Sequence, residues 1–329
     1  MSTATAVPQT FELEGDDARA TLKRVGRVRL LRDSFERFRA ADGFSHARAL
    51  AFQIVLSIFP ALIAIVGMTV DLDQENIKKL IQETIRGVAP GPAGEILTQA
   101  FQQGSDAASD SGTAILVGLA TALIAATGAM AQIERGGNRI YGVDSDRSTL
   151  RKYATAFMLA LTVGVLILIA FVLLIGGSAV EDAGATTGWS DTALTIWEVA
   201  RWPVVLVFVL AGFALLFKAS PRRRQPSMSW LASGAAVTIV SWFAFTGLLS
   251  LYLTASKSFG ETYGPLAGII GLLLWAFLTS VAVFFGLAFA AQLEAIRGGV
   301  TRPTTDRDAN LAPAVDPATA SNPPGSGLR

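Results

Sequence analysis

The stretch GPLAGIIGLLLWAFLTSVAVFFGLAFAAQL, residues 264–293, decides the fold of this protein. It contains no charged side chain, and a helix of this length reaches about 45 Å, longer than the roughly 30 Å hydrocarbon core of a bilayer. Its small residues recur at helical spacing, namely Gly264, Gly268, Gly271, Thr279, Ala282 and Gly286. Such a stripe lets another helix approach closely. We therefore predict a transmembrane helix, tilted or beginning near Leu266, whose glycine stripe packs against the preceding span.

The composition indicates a membrane protein. Hydrophobic residues make up 51% of the 329 residues and charged residues 16%, with a mean hydropathy of +0.47. Soluble domains carry about 25% charged residues. Cysteine is absent, which excludes disulfides, thiolate metal sites and a cysteine nucleophile, and His46 is the only histidine. We therefore predict no metal site, no cofactor and no catalytic residues.

Further apolar stretches predict an all-α, polytopic integral membrane protein with six transmembrane helices. The predicted spans cover residues 49–70, 113–133, 154–178, 199–217, 230–253 and 265–293. With their connecting segments they form a membrane domain over residues 27–302. The flanking residues 1–26 and 303–329 lack hydrophobic periodicity, and both are predicted to be disordered cytoplasmic tails.

Two amphipathic regions flank the first span. Val28, Leu31, Phe35 and Phe38 recur at three- and four-residue spacing among five arginines, which predicts an amphipathic juxtamembrane helix. We interpret it as an anchor that fixes orientation, with recruitment of an anionic lipid as the alternative. Segment 71–111 predicts two short extracytoplasmic helices, separated by a Pro-Gly-Pro break, that cap the membrane surface.

The first predicted span has one polar face. Gln53, Ser57 and Pro60 fall at i, i+4 and i+7 and therefore share that face. Pro60 removes a backbone hydrogen bond and is expected to kink the helix. The three residues either line a substrate pathway or make hydrogen bonds within the bundle, and the sequence leaves both interpretations open.

The distribution of positive charge predicts the orientation. Of the 27 Lys and Arg residues, 22 lie in the terminal regions, the second-to-third loop and the fourth-to-fifth loop. Because cytoplasmic segments carry the excess of Lys and Arg, both termini are predicted to be cytoplasmic. The apolar cores contain no ionisable residue, which disfavours a proton relay, and no phosphate-binding P-loop motif is present. The basic loops lack interleaved aromatic residues, so no nucleic-acid partner is predicted.

Three blocks of sequence resemble the YihY/BrkB family of bacterial inner-membrane proteins. They are ALAFQIVLSIFPALIAIVG at 49–67, NRIYGV at 138–143 with Arg147 and Arg151, and TYGPLAGIIGLLLWAFLTSVAVFFG at 262–286. The resemblance covers about residues 30–298 and implies a six-helix protein of the inner membrane, once labelled ribonuclease BN. It also implies a transporter of lipids or lipid-linked envelope precursors. The chain departs from the family pattern after Gly286, where GLAFAAQLEA stands in place of a segment with an acidic residue and an Asn.

The leading interpretation is a membrane transporter, not an enzyme, that moves a lipid or an amphipathic envelope precursor across the inner membrane. The alternative is a non-transporting membrane scaffold for cell-envelope assembly. Expected partners are membrane lipids, with anionic headgroups at the cytoplasmic face, and a homo-oligomer is compatible with the sequence. The predicted substrate-pathway residues are Gln53, Ser57, Pro60, Asn138, Arg139, Tyr141, Arg147, Arg151, Tyr263 and Gly264. An anionic headgroup is expected to meet Arg147, Arg151 or Arg222–Arg224 at the cytoplasmic face, whereas the NRIYG block is either functional or a tight cytoplasmic turn.

Overall fold

The computed structural model describes residues 4–10, 12–68, 74–109, 112–175, 190–256, 259 and 262–304. This part of the chain is helical and contains no β-strand, so the predicted all-α class is confirmed. Its ten α-helices are α1 Gly15–Val25, α2 Arg27–Ala40, α3 Gly43–Met68, α4 Gln74–Val88, α5 Pro92–Ser109, α6 Gly112–Ile140, α7 Thr149–Ile175, α8 Asp191–Ala219, α9 Met228–Ala255 and α10 Ala267–Arg297.

Six of these helices, α3 and α6 to α10, are long and apolar enough to cross a membrane, which confirms the predicted number of spans. All six extend past at least one predicted end, most clearly α3, α7 and α8, which begin at Gly43, Thr149 and Asp191, and α6 and α10, which continue to Ile140 and Arg297. A short 3₁₀ turn, Gly264–Leu266, precedes α10, so the last span begins at Ala267. Residues 69–70 and 176–178 of the predicted spans lie outside the described residues.

The six spans form a ring. Each span packs on the next one along the chain, and α10 returns to pack on α3. Nineteen of the 31 residues in α10 are buried inside the protein, against six of the 28 residues in α9 and four of those described in α8. The stretch with the longest uninterrupted apolar sequence is therefore the helix most enclosed by protein, while α8 and α9 present most of their surface outward.

The small residues of α10 serve two different interfaces. At Gly286, α10 crosses α9, where a Cβ on Gly234 would lie 2.6 Å from the Gly286 carbonyl oxygen. The indole Nε1 of Trp242 donates a hydrogen bond to Thr279 Oγ1 at 3.1 Å and joins the same two helices. Gly271 lies instead against α5, where its added Cβ would contact Ala93 N at 3.4 Å. The predicted seam with the preceding span is thus present in one half of the helix only.

Helices α4 and α5 form a hairpin at the end of the bundle opposite Ala4 and Thr304, the first and last described residues. Its apolar side chains pack with one residue each from α3 and α10 in a separate hydrophobic cluster: Leu62, Ile81, Ile85, Ala89, Ala93, Leu97, Phe101 and Leu272. The hairpin therefore contributes to the core rather than resting on its surface. Two short helices are present where the sequence predicted them, and α5 packs directly on both α3 and α10.

The N-terminal region differs from the predicted disordered tail. Residues 4–10, hereafter the strap, run across the end of the bundle without forming a helix or strand, and Val7 within them is buried. Val7 N donates to Tyr141 O at 3.1 Å, and Thr5 N donates to Pro303 O at 3.0 Å. The helix α1 follows and packs on α9. The polar, aperiodic sequence of this region does not predict an ordered segment, because backbone hydrogen bonds to distant parts of the chain hold the strap in place.

Both ends of the described chain meet at one end of the bundle, hereafter the basic end, where Ala4 forms an isolated antiparallel bridge with Thr304. The helix α2 lies here and packs on α10. Leu30 and Phe38 are fully buried against the bundle, whereas Val28 and Phe35 are exposed. The amphipathic helix is therefore present, but Phe38 belongs to its inner face and not to the outward apolar face that the spacing predicted. Residues 305–329 of the predicted C-terminal tail lie outside the described residues.

Candidate functional site

A lateral groove of about 860 Å³ opens on the side of the bundle. Its floor is α6, and its walls are α3 and α7, each of which packs on α6 without substantial contact with the other among the described residues. The lining residues are Gln53, Leu56, Ala120, Thr121, Leu123, Ile124, Ala125, Thr127, Gly128, Tyr153 and Phe157. Small residues on α6 and the gap between α3 and α7 therefore create the groove.

The groove is almost entirely apolar. Both threonines turn inward on their own helix: Thr121 donates to Val117 O and Thr127 to Leu123 O, each at 2.7 Å. The carboxamide of Gln53 and the hydroxyl of Tyr153 are thus the other hydrogen-bonding side-chain groups on the walls. The Gln53 carboxamide lies against Gly128, where an added Cβ would approach Gln53 Oε1 to 2.9 Å. A surface of this kind suits a hydrocarbon chain better than a polar solute.

The other two residues of the predicted polar face lie outside this lining. Ser57 donates to Ile54 O at 2.8 Å, so its hydroxyl is used within its own helix. Pro60 lies inside α3, which continues through it to Met68. Of the three, Gln53 alone lines the groove among the described residues.

A buried polar network occupies the basic end. Arg37 is fully buried and donates from Nε to Gln292 Oε1 at 2.7 Å, and from Nη1 to Thr5 O at 2.8 Å and Ile140 O at 3.0 Å. Glu294, also fully buried, accepts Thr10 Oγ1 at 2.8 Å through Oε1. Helices α2 and α10, the end of α6 and the strap all meet at these two side chains.

Arg223 joins this network from the loop before α9. Its Nη2 donates to Glu294 Oε1 at 2.6 Å and to Pro8 O at 3.0 Å, and its side chain is 2% exposed. Its guanidinium carbon lies 4.5 Å from the centre of the Tyr141 ring, a cation–π distance. Burial raises the pKa of the Tyr141 hydroxyl, and the nearby Glu294 raises it further, so the phenol stays protonated. Tyr141, which belongs to the NRIYG block, is therefore a buried residue whose ring is covered by the Arg223 guanidinium.

A second network lies beside the first. Arg147 pairs from Nη1 with the buried Glu134 Oε2 at 2.9 Å. The same guanidinium donates to the backbone carbonyls of Ser220 at 2.8 Å, and of Ala219 and Pro221 at 3.2 Å each. These carbonyls are left without helical partners where α8 ends, and a cation is favoured at such a helix C-terminus. The structure thus places Arg147 in internal contacts between α6 and α8.

Asn138, near the end of α6, connects the loop before α7 with the loop after α8. Its Oδ1 accepts Arg222 N at 2.7 Å, and its Nδ2 donates to Asp146 Oδ1 at 2.9 Å. Lys152 Nζ contacts Asp146 Oδ2 at 2.8 Å. Burial on its own raises the pKa of Asp146, but the hydrogen bonds from Lys152 and Asn138 outweigh it and hold that pKa below its usual value. This side of the NRIYG block is a hydrogen-bonded turn.

The remaining predicted residues lie at the two opposite ends of the bundle. Arg139 is half-buried at the end of α6, and Arg151 is exposed in the first turn of α7. Tyr263 packs its ring on Phe259 with centres 4.9 Å apart, and Gly264 adopts a φ of +47° with open space around it. Tyr263 and Gly264 precede α10 and therefore lie at the end of the bundle opposite the polar C-terminus of α10. The structure therefore places Asn138, Arg139, Tyr141, Arg147 and Arg151 at the basic end, and Tyr263 and Gly264 at the opposite end.

The sequence interpretation missed the buried charges. Arg37 is one of several arginines on an amphipathic helix, and Glu134 and Glu294 directly follow the predicted spans 113–133 and 265–293. The helices α6 and α10 run past those predicted ends and carry both carboxylates into the protein interior. In the sequence, the signal that could have identified these buried carboxylates is their position directly after an apolar run. Within the part of the chain that the structure describes, no group of His, Asp and Glu could hold a metal ion.

Six apolar spans in a ring, with a lateral groove and a polar basic end, define a polytopic integral membrane protein. The chain belongs to the BrkB family, because the family model for virulence factor BrkB matches residues 34–311. The family suggested by the sequence is thus confirmed.

Curated relatives agree with this assignment. The ribonuclease-like protein YfkH of Bacillus subtilis is 27% identical over 267 residues, which cover 80% of this chain and 94% of the relative. A UPF0761 membrane protein of Azoarcus is 28% identical over 79% of this chain and 62% of the relative, and one of Chromohalobacter salexigens is 26% identical over 81% and 63%. The chain therefore spans about three fifths of the UPF0761 relatives. No solved structure is significantly similar to it.

Proposed function

We propose that this protein is a transporter that moves a lipid or an amphipathic envelope precursor across the bacterial inner membrane. The observation that carries the proposal is the lateral groove between α3 and α7. A volume of about 860 Å³ falls within the range of about 300–1,000 Å³ that is usual for ligand sites. Because the groove opens on the side of a transmembrane bundle, its occupant enters from the bilayer and not from water.

Hydrocarbon is the chemistry that the groove accepts. Leu56, Leu123, Ile124 and Phe157 supply apolar walls, and Gln53 supplies one amide within reach of an ester or amide of the occupant. A headgroup belongs near the basic end, toward which Tyr153 lies at the start of α7. Arg151, exposed in the same turn, is the cation we assign to an anionic headgroup, since Arg147 is engaged with Glu134.

The orientation and the absence of enzyme activity are part of the proposal. We place both termini and the basic end in the cytoplasm on the strength of the charge distribution. We do not extend the ribonuclease-like name of the Bacillus relative to this chain. The charged side chains of the described networks at the basic end make internal contacts. The positive charge of the loops is explained by membrane orientation rather than by nucleic-acid binding.

The test is reconstitution of the full chain into liposomes that contain fluorescent phosphatidylethanolamine, phosphatidylglycerol or a labelled lipid-linked saccharide. Movement between leaflets is followed by a quencher that cannot cross the membrane. We expect protein-dependent movement of at least one of these lipids. Ala120→Trp and Ala125→Trp fill the floor of the groove and are expected to slow that movement severalfold. Ala244→Trp, on an exposed surface of α9 outside the groove, is the matched control and is expected to leave it unchanged.

A non-transporting scaffold is the second candidate. It is favoured by the observation that the described charges of Glu134, Arg147, Asp146 and Lys152 are used to join helices to one another, as in a rigid structural element. If no labelled lipid moves, the scaffold replaces the transporter. If lipids move equally fast in the Ala120→Trp and Ala244→Trp proteins, transport occurs but the groove is not its route.

A further inference from the structure

The polar network at the basic end carries an excess of buried positive charge. Arg37 and Arg223, hereafter the arginine pair, are both buried, and Glu294 is the carboxylate that faces them among the described residues. Burial lowers the pKa of Arg37 to about 10 and the neighbouring Arg223 lowers it too, while Glu294 opposes the change. The Arg37 guanidinium is therefore charged at neutral pH. An uncompensated buried charge is costly, so this arrangement favours a second anion.

The arginine pair also has unused hydrogen-bond donors. Arg37 Nη2 and both Nε and Nη1 of Arg223 are buried and have no protein partner, and Glu294 Oε2 is likewise without one. A buried donor without an acceptor costs about 1–3 kcal/mol, and more when the group is charged. The three unused donor atoms of the two arginines outnumber the one unused carboxylate oxygen of Glu294, so the pair has capacity for a further acceptor.

The strap covers the arginine pair and provides it with neutral hydrogen-bond acceptors. The carbonyl oxygen of Thr5 takes one N–H of Arg37, and the carbonyl oxygen of Pro8 takes one N–H of Arg223. Both carbonyls belong to the same seven-residue segment, residues 4–10, which forms no helix or strand and is held by backbone hydrogen bonds, by Thr10 and by the buried side chains of Ala4 and Val7. A charged oxygen is a stronger acceptor for guanidinium than a neutral carbonyl. An anion that reached the pair would therefore compete with the strap.

We propose that Arg37 and Arg223 form a binding site for a phosphate group and that the strap, residues 4–10, closes this site in the structure described here. Arginine forks match phosphate oxygens in geometry and charge. The phosphate belongs to a lipid headgroup or is free in solution. The exposed apolar side chains of α2, Val28 and Phe35, lie on the same helix as Arg37 and would bring the site to the bilayer interface. The site stands whether or not the protein transports lipid.

Two glycines let the strap lie where it does. Gly142 has a φ of +68°, and an added Cβ would lie 2.6 Å from Ala6 Cα. Gly298 has a Cβ position 3.0 Å from Pro8 Cγ. Gly142→Ala is therefore expected to displace the strap without changing a residue of the site. Gly26→Ala introduces the same backbone strain, at a φ of +85°, where nothing lies within 4 Å, and is the matched control.

The absence of cysteine allows the strap to be locked. Ala4 and Thr304 form a bridge between antiparallel segments, a geometry that suits a disulfide, so Ala4→Cys with Thr304→Cys can hold the strap closed until a reductant is added. Binding of dihexanoyl phosphatidate and of inorganic phosphate is measured by calorimetry on the full chain in detergent. We expect Gly142→Ala to lower the apparent Kd about tenfold relative to the unaltered protein and to Gly26→Ala. We expect the oxidised double-cysteine protein not to bind and the reduced form to bind.

The outcomes separate the alternatives. Binding of phosphatidate alone identifies a lipid headgroup as the ligand, whereas binding of both probes shows that free phosphate is sufficient. Arg223→Gln in the Gly142→Ala protein is expected to abolish binding, with Arg223→Lys restoring part of it and thermal unfolding reporting on the fold. The proposal is overturned if neither probe binds any variant, which would leave a hydrated structural network. It is also overturned if the oxidised and reduced double-cysteine proteins bind equally.

Discussion

Gly234 of α9 and Gly286 of α10 cross in near contact: a Cβ on Gly234 would lie 2.6 Å from the Gly286 carbonyl oxygen and 2.8 Å from Ala290 Cβ. Lipid tails are as apolar as the side chains of a span, so close packing and interhelical hydrogen bonds hold such helices together. The neighbouring hydrogen bond from Trp242 to Thr279 serves the same interface. This crossing fixes the most enclosed span against its neighbour.

Gly234→Ala is expected to destabilise the protein by about 1–3 kcal/mol, because the added methyl group meets backbone and must separate α9 from α10. Gly247→Ala in the same helix is the control, since nothing lies within 4 Å of its Cβ position. That change should be neutral or slightly stabilising, because alanine favours helix more than glycine does. Chemical unfolding in mixed micelles measures both. Equal stability of the two variants would contradict a close crossing at Gly234.

Glu134→Gln is expected to destabilise the protein by about 3 kcal/mol, because removing one partner of a buried ion pair leaves Arg147 uncompensated. The Glu134 side chain is 1% exposed. Glu36→Gln breaks the exposed pair with Arg32, whose side chains are 42% and 80% exposed, and should cost less than about 1 kcal/mol. Thermal unfolding in detergent compares the two. If both substitutions lowered the stability by a similarly small amount, Arg147 would not need Glu134 as its partner in the folded protein.

The stabilising contribution of Asp146 is expected to depend on pH. Its pKa in the folded protein lies below the usual value because the hydrogen bonds from Lys152 and Asn138 outweigh the opposing effect of burial. A lowered folded-state pKa means that the carboxylate contributes fully above its unfolded value of about 3.9 and loses this contribution as pH falls through the folded value. The difference in unfolding temperature between the unaltered protein and Asp146→Asn should therefore be largest near neutral pH and shrink in acid. A difference that grew on acidification would contradict the direction of the shift.

The proposed orientation can be tested with single cysteines, since the chain has none of its own. Glu36→Cys lies on α2 at the basic end, and Lys79→Cys is exposed on α4 at the opposite end. A maleimide that cannot cross membranes should label Lys79→Cys in intact spheroplasts and Glu36→Cys only after permeabilisation, because the positive charge is expected on the cytoplasmic side. The reverse pattern would place the basic end outside.

The class of fold was predictable because the chemical signal is local. A run of thirty uncharged residues from Gly264 cannot stay in water, and its period and length require a helix that spans the bilayer. The same reasoning gave the number of spans, and the spacing of apolar residues gave α2, α4 and α5. Span ends were less well predicted, since α6 and α10 continue as helix beyond the apolar run, where protein replaces lipid around Glu134 and Glu294.

The candidate sites were predictable only in part. Gln53 was named from its place on a polar helix face and does line the groove, but the groove exists because α3 and α7 pack on α6 and leave a gap between them. Arg37 could not be distinguished from the other arginines of α2 by sequence, because its burial depends on α10. The strap gave no local signal at all.

The sequence by itself determined that this chain is a six-span membrane protein, because transfer of apolar side chains from water into the bilayer depends on composition and period alone. Only the tertiary structure decided which charges are buried, which glycines face α9 and which face α5, and where a groove opens. These features arise from contacts between segments far apart in the chain, such as Arg37 with Gln292 and Thr10 with Glu294. The free energy of such contacts depends on partners that no local pattern specifies.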